Sequence, residues 1–135
     1  MSEPLTGRAP SLDDFVDLAE AAFAALPERF RRLAGEVVFR IDDFPGPEIL
    51  DELGIEDPFE LTGVYQGVDL TRRSLFDASP QTSMVFLYRR PILDEWADRG
   101  DVTVAELVAH VLVHEIGHHF GLSDEAIADV EAAAD

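Results

Sequence analysis

From Leu12 onward the apolar residues recur at helical spacing. Leu12, Phe15, Val16, Ala19, Phe23 and Leu26 predict an amphipathic helix over 12–26. Ser11 stands before it as an N-cap, and Asp13 and Asp14 fall in its first turn, where the helix dipole favours them. Pro27 interrupts the pattern, and "PERFRRLA" predicts a short second helix stopped by Gly35. The period then shortens. "EVVFRID" predicts a strand over 36–42, ahead of the turn "DDFPGP". Residues 47–53 predict a helical turn that ends at Gly54, and the turn-rich stretch that follows leaves a short strand near Leu61–Gln66. "TSMVFLYR" predicts a strand over 82–89. Pro91 opens a helix through "PILDEWADRG", which Gly100 stops.

The longest helix follows. Thr103 caps it, and Glu106 sits three residues on, as a capping box requires. It runs to about Phe120, ends at Gly121, and gives way to a final helix with Ser123 as N-cap. The 103–120 helix is apolar almost all round, through Val104, Leu107, Val108, Val111, Leu112, Val113, Ile116 and Phe120, so it belongs in the core. Histidines and a glutamate planted in such a helix sit partly out of water and need partners or a metal. The order of elements is that of an α+β fold, a small mostly antiparallel or mixed sheet packed against helices. We expect one domain over 1–135, with residues 1–10 loose.

Composition narrows the chemistry. The 135 residues are 47% hydrophobic with nine Phe, enough for a core, and contain no cysteine. Any metal site must therefore use His, Asp and Glu. The net charge of -18 repels phosphate backbones and anionic lipid, so neither nucleic acid nor membrane is an expected partner. The same charge serves solubility, or suits a basic partner. "MSEPLTGRAPSLDDF" has no basic start followed by an apolar core, and no run approaches the roughly 18 apolar residues of a membrane span. A cytoplasmic protein is the expectation. The oligomeric state is left open.

The candidate chemistry lies in "HEIGHHFGLSD", His114 to Asp124. His114 and His118 are four apart, on one helix face, and can point at one ion. Glu115 is about 100° round from His114, beside the ion without ligating it, where a base can take a proton from a metal-activated water. Gly117 permits close packing, and Gly121 can turn the chain in a left-handed conformation so that Asp124 returns to the ion. Two imidazoles and one carboxylate leave a fourth position open, the pattern of a catalytic zinc. Asp124 also follows Ser123 directly, where the dipole alone favours an acid, and Glu125 reads as such a first-turn acid. His110 continues the column, but lies roughly 12 Å of helix rise from His118, too far to share its ion. A His110/His114 pair is possible but lacks a following carboxylate, since residue 111 is Val, so His110 reads rather as a core or supporting histidine and His119 as a packing residue. Tyr65, Tyr88 and Arg89 are candidates by residue type for stabilising an oxyanion.

At these residues the chain resembles the zincin metallopeptidases. "HEIGHHFGLSD" fits HExxHxxGxxD, the extended motif of the Asp-zincins, and "LTGVYQGVDLTRRS", "MVFLYRRPILDEWA" and "VHEIGHHFGLSDEAI" resemble the small bacterial zincin-like metallopeptidases, or mini-zincins, over about residues 59–127. The resemblance implies zinc held by His114, His118 and Asp124, Glu115 as general base and acid, and a peptide or unfolded protein as substrate. It also implies an edge strand bordering the cleft above the metal helix, and strand 82–89 is the candidate. The chain departs from the metzincins. Asp stands in place of a third His, no Met follows the motif, and 11 residues follow Asp124, so the lower side of the cleft is expected to be minimal. That departure motivates an alternative, a non-catalytic binding module with a structural zinc. The charge of -18 motivates another, an acidic protein that captures a basic partner.

Overall fold

A computed structural model describes residues 9–66 and 82–133 of the chain. These residues form six helices and three strands: α1 (Leu12–Ala24), α2 (Glu28–Ala34), β1 (Glu36–Asp42), α3 (Pro47–Leu53), β2 (Gly63–Gln66), β3 (Thr82–Tyr88), α4 (Arg89–Arg99), α5 (Val104–His119) and α6 (Asp124–Ala133). A single 3₁₀ turn over Pro58–Glu60 precedes β2. The fold is α+β, with a mixed sheet in the order β1-β3-β2. β1 runs parallel to β3, Phe39 beside Val85, and β2 runs antiparallel to β3, Tyr65 beside Val85.

Alternation along the strands decides which face meets the helices. Ser83, Val85 and Leu87 are buried, and their register partners Val37, Phe39, Ile41, Gly63 and Tyr65 share that face. Helix α1 packs on β1, and α5 packs on both α1 and β2. The core between them holds Phe15 and Ala19 from α1, Val85 and Leu87 from β3, and Leu107, Val108, Leu112 and Ile116 from α5. Gly63 brings β2 down onto α5. A Cβ there would lie 2.9 Å from the Phe86 carbonyl oxygen and 3.0 Å from a Val111 methyl.

The capping residues act as their types predict. Ser11 and Asp14 form a reciprocal box at α1, as do Thr103 and Glu106 at α5. The Thr103 backbone N–H donates to Glu106 Oε1 at 2.8 Å, and the Glu106 N–H donates to Thr103 Oγ1 at 3.0 Å. Thr103→Ala removes one of these partners and is expected to cost about 1 kcal/mol, read as a lower midpoint in urea.

Three expectations change. Strand 82–89 was the candidate edge, but β3 lies at the centre of the sheet, and among the described residues the edges are β1 and β2. The strand bordering α5 is β2, because a parallel β1 takes the other side of β3. Pro91 does not open its helix. It is the third residue of α4, within the first turn, where its missing N–H costs nothing. Of residues 1–10, expected to be loose, 1–8 lie outside the described residues. Pro10 is buried, and its carbonyl accepts a hydrogen bond from Arg89 Nε.

Candidate metal centre

The site is built on α5 and on the turn that follows it. Gly121 takes φ 76°, the left-handed conformation expected of it. The Leu122 N–H bonds back to the Gly117 carbonyl at 2.9 Å, and the Gly121 N–H to that of His118 at 3.0 Å. This pair of bonds is a Schellman closure, which satisfies the last carbonyls of the helix and reverses the chain. Ser123 then caps α6, its Oγ accepting from the Ala126 N–H. Helix α6 returns antiparallel along α5. Gly117 sets the spacing of the two helices, for a Cβ there would lie 2.8 Å from Ile127 Cγ1.

Helix periodicity orders the side chains around α5 at 100° per residue. α6 covers the side of Gly117, and β2 covers the side of Val111 and His119. His110, His114 and His118 fall in sequence between these two, and Glu115 falls between Val111 and His119, within the strip under β2. His114 and His118 have ring centroids 5.5 Å apart, but the ligand atoms of His114, His118 and Asp124 do not all come within 4.8 Å of one another. His118 Nε2 lies 3.5 Å from Asp124 Oδ1, with the Asp124 side chain 96% exposed and His118 53%.

Electrostatics favour the chemical states that the motif needs. Burial raises the Glu115 carboxyl above its ordinary range, and the His118 imidazole pulls it partly back. Burial and the neighbouring His110 lower His114, while Glu131 opposes them, and the net shift favours the neutral imidazole that a metal requires.

The structure also brings together a group that the spacing of the motif did not reveal. The His110 Nδ1–H donates to Glu131 Oε2 at 3.1 Å, and the His114 Nε2–H donates to Glu131 Oε1 at 3.1 Å. His110, His114 and Glu131 thus form a His-His-Glu group with ligand atoms all within 4.8 Å of one another. His110 has a carboxylate after all, supplied by α6 rather than by residue 111. One signal was available. Glu131 is seven residues after Asp124, two helical turns, so both acids face α5.

The remaining candidates have other tasks. The Tyr65 hydroxyl donates to Ser83 Oγ inside the fold, and its ring packs edge-on against His119, centroids 4.5 Å apart. Tyr88 belongs to the sheet face away from α5, where burial and Asp42 raise its pKa. Arg89 binds the Pro10 carbonyl and Asp43. Apart from the Tyr65 ring on His119, these contacts involve no histidine.

The histidine column, the glutamate beside it and the returning carboxylates lie within one stretch of matched sequence. No curated protein matches the chain. A sequence model described as zincin-like metallopeptidase matches residues 34–134, from the end of α2 through the sheet to the end of α6. With well over half of its length covered, metal helix included, the chain belongs to the zincin-like metallopeptidase family.

Proposed function

We propose that this protein is a zinc-dependent peptidase in which His114, His118 and Asp124 hold the ion and Glu115 moves the proton. The observation that carries the reading is the order along α5: His114 and His118 with ring centroids 5.5 Å apart, an Asp124 oxygen 3.5 Å from His118 Nε2, and the half-buried Glu115 one residue from His114. The donor set of two nitrogens and one carboxylate oxygen fits zinc and leaves a position for water. Zinc bound there would bring the pKa of its water down to about 7 and polarise a carbonyl.

The chain's own residues do the rest. Glu115, ionised, accepts the proton of the attacking water. It then gives that proton to the leaving amine, and the raised affinity of its carboxyl for protons suits both steps. The substrate backbone is held by β2. Thr62 accepts from the Tyr88 N–H, so the ladder bonds to β3 fall on Thr62, Val64 and Gln66. The N–H and C=O of Gly63 and Tyr65 therefore point away from β3, toward the strand's outer edge. An extended peptide can pair with them as an added strand.

Equilibrium zinc binding tests the ligand set. Asp124→Ala is expected to weaken zinc affinity by about tenfold or more, with the fold intact by circular dichroism. Unchanged affinity would remove Asp124 from the site and leave it as a first-turn acid of α6.

A further inference from the structure

The His110–His114–Glu131 group joined by hydrogen bonds also has the spacing of a metal-ligand set. Each Glu131 oxygen lies 3.1 Å from a different ring nitrogen, and all three donors fit within 4.8 Å. Ligand atoms on a tetrahedral ion with bonds of about 2.0–2.1 Å stand roughly 3.3 Å apart. Each side chain is about one-third exposed, at 36% for His110, 32% for His114 and 33% for Glu131, so an ion has access from solvent. Ile127 on Gly117 fixes the two helices that carry the group. Asp124 and Glu131 repeat along α6 as His118 and the His110/His114 pair repeat along α5, so the seam offers a carboxylate at two levels.

We propose that His110 Nδ1, His114 Nε2 and Glu131 form an alternative divalent-metal position that competes with the motif site for His114. The Nε2 atom has one lone pair and cannot serve two ions. An ion held by His110 and Glu131 takes His114 from His118 and Asp124, so it is unproductive. Glu131 and His110 thereby set how much bound metal reaches the catalytic arrangement. The inference rests on the proposed metal reading only through the sharing of His114.

The test is equilibrium binding of Zn2+, and of Co2+ followed by its absorption spectrum, to the full chain. The variants are His118→Ala, His118→Ala/Glu131→Gln and His118→Ala/His110→Ala, each checked for its thermal midpoint. We expect His118→Ala to keep one ion per chain at reduced affinity. Adding either second change should cut that remaining affinity by more than the roughly 10–100-fold expected from loss of a merely supporting partner. Zn2+ should also shift the His110 Nδ1 resonance in the His118→Ala protein, a change that a structural hydrogen bond would not give. If His118→Ala binds no ion, the alternative position is refuted and the motif site stands. If it binds an ion that ignores both second changes, the position is likewise refuted. If His118→Ala costs no affinity while Glu131→Gln does, the alternative position stands and the motif ligand set fails.

Discussion

Glu115→Gln is expected to retain the fold and the zinc while losing at least about 100-fold in kcat, the lower end of what general acid–base catalysis contributes. The amide fills the same space but cannot take a proton. A second readout separates this role from a packing role. Burial raises the Glu115 carboxyl, so the folded chain holds its proton more readily than the unfolded chain does. Stability of the metal-free protein therefore falls as pH rises from the ordinary carboxylate range through the raised value. Gln removes that loss. The variant should match wild type in acid and exceed it at neutral pH, measured as urea midpoints across pH. An inactive variant without this gain would mean that burial does not raise the Glu115 carboxyl in the folded chain. A fully active one would remove it from the mechanism.

The second large effect is expected at Gly117. Its absent side chain lets Ile127 approach α5, and α6 carries both Asp124 and Glu131. Gly117→Val would drive carbon into a space where a Cβ alone already lies 2.8 Å from Ile127 Cγ1. Overpacking of this kind costs about 1–3 kcal/mol. Because the returning helix must shift, zinc affinity should fall together with stability, by about tenfold or more. Urea unfolding with and without zinc measures both. A loss of stability with unchanged zinc affinity would uncouple the spacing of α6 from the metal.

Much of this was legible in residue order. Local signals carried the helices: Ser11, Thr103 and Ser123 as caps, Gly35, Gly54, Gly100 and Gly121 as stops, each a short-range steric or hydrogen-bonding rule. The i, i+4 spacing of His114 and His118 needs only helix geometry, and so does the left-handed turn at Gly121. Pairing order in the sheet was not legible. β1 and β3 are both apolar strands, and nothing in either says that they lie parallel side by side, leaving β2 as the edge on α5. Glu131 was missed for the same reason. Its partners are 17 and 21 residues away and meet it only because α6 folds back over Gly117. Local chemistry can be read along a chain, whereas contacts made by a reversal require the reversal to be placed first.

If His114, His118 and Asp124 hold the working metal, peptide hydrolysis depends on that ion. The most direct test of this dependence follows cleavage of a broad set of unfolded peptides before chelation, after chelation, and after one equivalent of Zn2+ is returned. Cleavage is expected, with its loss on chelation and its restoration by that single equivalent in wild type but not in Glu115→Gln. Cleavage that persists without metal, or a fully zinc-loaded protein that cleaves no peptide, would contradict the metallopeptidase reading.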